Sequence, residues 1–219
     1  MVVPTADSDF CHEVVARGWL TQEQIEHAAK RYKLGRSRSG RTIFWMIDQN
    51  GKVRDGRIGD DWVSEMMRRR EPELLKDCHT THCLFGMHLL NECPATTGDA
   101  CESKNDNGNR PVGIVEKETS AVVLSEIFPD YIWLATSPAL SFTIDRLKPL
   151  KGHHVIVFPP TDPHLDSYVT WLDLVSMTRK EYQLDITVSD CLEDNTSAEQ
   201  KERRIDLAEY LFEASKRPG

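Results

Sequence analysis

After residue 111 the chain alternates short apolar runs with helix-like segments, and this alternation restricts the fold more than any other feature of the sequence. Val112–Val115 (VGIV), Tyr131–Ala135 (YIWLA), His154–Phe158 (HVIVF) and Asp185–Val188 (DITV) read as strands. Thr119–Phe128, Phe142–Leu147, Ser167–Tyr182 and Ala198–Ala214 read as the helices that follow them. Apolar strands spaced by helices predict an α/β fold, with a mainly parallel four-stranded sheet covered on both faces. Right-handed crossovers then bring every strand C-terminus to one edge, where the functional loops of such sheets gather. Glu116 follows the first strand, Thr136 the second, and Pro159 to Asp162 the third.

Upstream, the pattern is different. Thr21–Lys33 (TQEQIEHAAKRYK) opens with a capping-box pair, Thr21 and Gln24, and shows an apolar face of Ile25, Ala28, Ala29 and Tyr32. RTIFWMID, QNG and KVRDGRIG read as a hairpin turning at Asn50-Gly51, and Asp60–Arg70 as a helix with acids first and arginines last. Cys93–Pro111 is rich in Gly, Asn, Asp and Pro and poor in apolar side chains, as in a linker. The organisation expected is therefore an N-terminal α+β extension (1–92), a linker (93–111) and an α/β domain (112–219). Trp45, Trp133 and Trp171 read as core residues rather than base-stacking platforms, and Met66-Met67 as helix packing.

The charge is uneven. The chain carries a formal −8, yet residues 17–57 hold ten Lys or Arg against four acids. Arg36, Arg38, Arg41, Arg54 and Arg57 are expected to form a patch on the hairpin side, suited to the phosphates of a nucleic acid. An ordinary solvated surface is the competing reading. No apolar run is long enough to span a membrane, and the acidic N-terminus lacks the form of a signal peptide, so the cytoplasm is the location expected. Cys78, His79, His82 and Cys83, with Cys93 and Cys101 downstream, suggest zinc. Seven residues between the second cysteine pair fit poorly, and free thiols are the favoured reading.

Glu116 and Asp162 leave neighbouring strand ends in this scheme. Acids converging there suit a hard divalent cation such as Mg²⁺, and a carboxylate near that metal can move protons in phosphodiester chemistry. Solvated acids without a ligand are the plainer alternative.

VGIVEKETSAVV, PDYIWLAT, LKPLKGHHVIVFPPTD and DITVSDCLED together resemble a Toprim (topoisomerase–primase) domain. More narrowly, they resemble the Toprim-like proteins of bacterial conjugative and integrative elements. YKLGRSRSGRTIFWMID and LFGMHLL are similar to the segment preceding the domain there, so the resemblance runs from about residue 30 to the end. A zinc-binding segment often found ahead of that region has no clear counterpart in the first 30 residues. The resemblance implies a Mg²⁺-dependent nucleic-acid-processing protein of a mobile element, with a nucleic acid or a replication or mobilisation protein as partner.

It also marks departures. The catalytic glutamate matches Glu116, but the Asp-x-Asp pair falls on Pro160 and Asp162. A lysine position holds Thr119, and an expected glycine pair is Ser137-Pro138. These differences imply a degenerate metal site with phosphotransfer weak or lost, in which Glu116, the expected proton-transfer group, and Asp162 remain as metal ligands and Glu118 or Asp166 are the substitutes. An active primase or nuclease with a rearranged metal shell, and a non-enzymatic protein-interaction module, are the alternatives.

Overall fold

The computed structural model describes residues 2–75, 82–91, 110–137 and 143–215, and it divides into two units, Met1–Leu89 and Leu90–Gly219. The linker expected at 93–111 lies outside the described residues except for Arg110 and Pro111.

In the first unit, helices α1 (Asp9–Ala16) and α2 (Gln22–Arg31) precede strands β1 (Gly35–Arg36), β2 (Thr42–Ile47), β3 (Val53–Ile58) and β4 (Asp61–Trp62), then helix α3 (Val63–Arg70). The capping box forms as the spacing predicts: Gln24 N–H donates to Thr21 Oγ1, and Thr21 N–H to Gln24 Oε1. The strands make an antiparallel sheet in sequence order. Between β2 and β3 the chain turns over Asp48–Lys52, and Gly51 takes φ +76°, a conformation that glycine adopts without a Cβ clash. Asp48 fastens this turn by accepting from the N–H groups of Asn50 and Lys52. Helix α3 begins at Val63 rather than Asp60, because Asp61 and Trp62 still pair with Ile58 and Arg57. Met67, read as packing, is 40% exposed. Tyr32 stacks on Phe85 at 5.1 Å, and Phe85 meets Phe44 edge-on at 5.7 Å, joining α2 to the sheet.

The second unit is the α/β part. Strands β5 (Val112–Val115), β6 (Ile132–Ala135), β7 (His154–Val157) and β8 (Asp185–Val188) form an all-parallel sheet in the order β6-β5-β7-β8. Helix α4 (Glu118–Ile127) follows β5, α5 (Ile144–Leu147) follows β6, and α6 (Asp166–Tyr182) follows β7. Beyond β8 come α7 (Cys191–Asn195), α8 (Ala198–Glu202) and α9 (Leu207–Ala214). Every residue of β5 and β6 is buried, as strands covered on both faces require. Helix α4 packs on β5, β6 and α9, whereas α5 packs on α6 and α6 on β8. Right-handed crossovers assign α4 to one face and α5 and α6 to the other.

One expected helix is in fact two. Ala198–Ala214 breaks at Arg203–Asp206, where Arg204 takes φ +51° and Asp206 starts α9. Two capping boxes explain the break: Ser197 with Gln200, and Asp206 with Glu209. Each cap supplies acceptors to a new helix start, so two short helices replace one long one.

Gly113 lies directly opposite Trp133, and the indole rests over the space where a Cβ would stand, 2.6 Å from Cε3 and Cζ3. Trp133 is only 2% exposed. Tyr131 and Phe158 enclose it at 5.3 and 5.5 Å, and its Nε1–H donates to the carbonyl of Phe128. With no room to retreat, Gly113→Ala should cost about 1–3 kcal/mol of stability, read as a lower urea midpoint with unchanged slope. An unchanged midpoint would show that the indole can move.

Candidate functional site

The strand order reverses beside β5, with the second strand of the unit on one side and the third on the other. In doubly wound sheets the crevice beyond the strand C-termini at such a reversal is where ligands bind. Three loops leave that edge, after β5, β6 and β7. Ile114 pairs with Val157, and Phe158 N–H donates to the carbonyl of Ile114, so Glu116 and Asp162 follow adjacent parallel strands out of one edge. Pairing also continues past β6: Thr136 N–H donates to Val115 and Ser137 N–H to Glu116. Ser137 is buried and takes φ +70°, a conformation more costly for serine than for glycine. Pro138 lies outside the described residues.

Asp162 is 2% exposed, and both oxygens of its carboxylate accept hydrogen bonds. Oδ1 accepts from the backbone N–H groups of His164 and Asp166, and Oδ2 from that of Ser167 at 2.6 Å, with a further hydrogen bond from the Ser167 side chain. A carboxylate offers about four lone-pair sites, and the three backbone amides occupy most of them. Burial alone would raise its pKa. The hydrogen bonds outweigh burial and hold the pKa down at about 2. Asp162 therefore caps the start of α6. Pro160 is buried two residues earlier and brings no donor atom of its own to the edge.

The substitute ligands are placed no better. Glu118 is buried at the first turn of α4, while Asp166 is exposed and spends its N–H on Asp162. Among the described residues no three or more His, Cys, Asp or Glu side chains are grouped to hold a metal ion. Asp162, the carboxylate at the loop tip, accepts from three backbone amides, and no group of three acids joins it with Glu116, Glu118 and Asp166 among the described residues.

A second set of charged groups occupies this edge, and the sequence did not single it out. Lys117 Nζ bonds Glu209 Oε2 at 2.9 Å and lies 3.7 Å from Asp206 Oδ2. Ser120 donates its hydroxyl to Asp206, and Thr161 donates both its N–H and its hydroxyl to the carbonyl of Ile205. The chain between α8 and α9 is thus fastened to the loops after β5 and β7. Burial raises the Asp206 pKa even with the Lys117 ammonium nearby. Lys117 is shifted upward: burial opposes its charge, but Asp206, Glu209 and Glu116 prevail. The Asp206-x-x-Glu209 capping box was the legible signal for this strap.

In the first unit the five arginines separate. Arg36, Arg38 and Arg41 are exposed around the β1–β2 turn, where Ser37 Oγ accepts the N–H of Arg41. Arg57 is buried and donates to the carbonyl of Gly59, with Asp60 at 3.5 Å. Arg54 is half-buried and clasps Asp48 through Nε and a terminal nitrogen, each at 2.6 Å, at the far end of the hairpin. A single patch of five does not form.

Of the cysteine–histidine cluster, only His82 and Cys83 are described; Cys78, His79, Cys93 and Cys101 lie outside the described residues. His82 Nε2 bonds the buried Asp55 carboxylate at 2.9 Å, which also accepts from Ser64 Oγ at 2.6 Å. The Asp55 pKa is lowered: burial would raise it, but the bonds from His82 and Ser64 win. His154 is exposed and pairs across the strands with Asp185 at 2.8 Å.

The Asp162 cap sets a pH dependence. Its pKa is about 2 in the folded chain against 3.8 for an ordinary aspartate, so it contributes about 2 kcal/mol. That contribution is complete above pH 4 and disappears as pH falls through 2. Asp206 acts oppositely, since a raised pKa favours the folded state at low pH. Asp162→Asn should lower stability by about 2 kcal/mol at pH 7 and by much less near pH 2, measured by urea unfolding. A gap equally wide at both pH values would reject the cap.

No helix among the described residues is long and apolar enough to cross a membrane. No curated protein matches the chain. The family described as "Domain of unknown function (DUF6371)" matches residues 10–161, a span that runs from α1 through β7 and ends one residue before Asp162. With well over half its length in that match, the chain belongs to this family.

Proposed function

We propose that the protein is a Toprim-like nucleic-acid-binding protein of a mobile element that works without metal-dependent phosphotransfer, holding a nucleic acid for a replication or mobilisation partner. The observation that carries the reading is the β1–β2 turn, which presents Arg36, Arg38 and Arg41 to solvent on a chain that is acidic overall. Phosphate binding depends on local potential, so net acidity does not oppose it. Three features of the parallel sheet support the Toprim likeness: the strand order, Glu116 at the reversal, and left-handed Ser137 where the resemblance expects a glycine. The commitment of Asp162 to α6 supports the loss of phosphotransfer.

Labelled oligonucleotides followed by fluorescence anisotropy test this reading. Affinity should fall steeply with salt as neutralised phosphates release counterions. The double change Arg38→Glu and Arg41→Glu should weaken binding about tenfold or more at low salt. Binding to no nucleic acid at low salt would favour the protein-interaction module instead. Turnover of a nucleic acid with Mg²⁺ that disappears in Glu116→Gln would make the protein an active primase or nuclease.

A further inference from the structure

The sheet of the first unit has two unlike faces. Along β2 the side chains alternate, and Thr42, Phe44 and Met46 are buried on the side that meets Phe85. Ile43 and Trp45 point the other way and are partly exposed. Trp45 stands opposite Gly56 on β3, and Ile43 opposite Gly35 on β1, so both glycines share that outer face.

The glycines fix how the indole lies. A Cβ on Gly56 would stand 2.7 Å from Trp45 Cε3, and one on Gly35 would stand 2.5 Å from Nε1. The six-membered ring therefore covers one neighbouring strand and the pyrrole ring the other. The indole lies flat across three strands, with one π-face against backbone. Trp45 as a whole is partly exposed, and Val63 of α3 stands beside it over Gly56, with Cγ2 3.1 Å from the space a Cβ would take.

Trp133 uses the same device over Gly113, yet it is enclosed by rings and its N–H is satisfied. Trp45 differs on each point. Among the described residues no aromatic ring or cation stacks on it, and its Nε1–H has no acceptor. Core packing, the reading taken from the sequence for both, accounts for all of Trp133, whereas Trp45 packs over two glycines and stays partly exposed.

Two guanidinium groups share the outer face. Arg41 precedes Trp45 by four residues, about 13 Å along a strand, and its guanidinium lies across Gly59. Arg54 precedes Gly56 by two and is held toward the hairpin turn by Asp48. A flat, partly exposed indole between two guanidinium groups, the exposed Arg41 and the Asp48-paired Arg54, has the composition of a single-strand binding surface: a π-face takes a base, and guanidinium groups take phosphates. Duplex bases are already stacked on each other and cannot offer a face. We infer that Trp45 is the stacking platform for a base of single-stranded nucleic acid, with Arg41 and Arg54 engaging phosphates on either side. This inference rests on the nucleic-acid reading above and adds the strand form, the face and the residue.

The test compares an oligothymidylate, an abasic oligonucleotide with the same number of phosphates, and a duplex, using anisotropy on the full chain. Wild type should prefer the oligothymidylate to the abasic strand by about tenfold, the usual range for one stacked base. Trp45→Leu should erase that preference while keeping the abasic affinity, and Trp45→Phe should keep part of it. Arg41→Glu should weaken both single strands alike. Circular dichroism checks that each variant is folded; if Trp45→Leu is not, the wild-type ratio and Trp45→Phe decide. Equal wild-type affinity for the two single strands would overturn the stacking platform and leave a phosphate-only binder. A preference that survives in folded Trp45→Leu would place the stacking residue elsewhere and overturn it too. Binding to none of the three probes would bring down the nucleic-acid reading along with it.

Discussion

The carboxylate of Asp162 is held by the amides that open α6, and much of the second unit follows from that attachment. The chain leaves β7 into a buried loop, where each backbone N–H must find an acceptor. Phe158 donates to Ile114 and Thr161 to Ile205. Pro159 and Pro160 between them have no N–H to satisfy, which suits two buried positions that offer no partner. Asp162 then accepts from three residues of the next turn and fixes where the 17-residue helix begins. A carboxylate at position 160 would bring a charge into the buried part of this loop, where proline brings none.

The strap between α8 and α9 completes the same edge. It is fastened to the loop after β7 through Thr161, to the loop after β5 through Lys117 and to the first turn of α4 through Ser120. Its buried aspartate is stabilised by a half-buried ammonium, and removing one partner of such a pair leaves the other costly to keep charged. The groups that would have to meet a ligand at this edge are largely engaged with one another. The outer face of the first unit has a different character, with a partly exposed ring, the exposed Arg41 and the half-buried Arg54.

Gly113 and the pair Gly35 and Gly56 apply one rule twice. A strand glycine leaves a gap in the side-chain layer, and a neighbouring indole lies flat into it. Enclosure decides what the ring then does. Tyr131, Phe158 and α4 bury Trp133, whereas Trp45 stays partly exposed.

The sequence by itself determined the parallel sheet, because four apolar runs at helix-length spacing can bury both faces only in that way. It determined the shared edge of Glu116 and Asp162 as well, through the handedness of the crossovers, and the α2 and hairpin elements through a capping box and an Asn-Gly turn. Helix starts at Asp60 and across Arg203–Asp206 were misread, because strand pairing and a second cap override periodicity. Tertiary structure alone decided the roles of the site residues. Whether Asp162 faces a cation or a helix start depends on where the amides of α6 arrive, and whether Arg54 and Arg57 reach solvent depends on Asp48 and Gly59. Composition made Trp45 and Trp133 equivalent. Only the packing around each indole separates a core residue from an open surface, because burial belongs to the neighbours that the fold brings in and not to the residue itself.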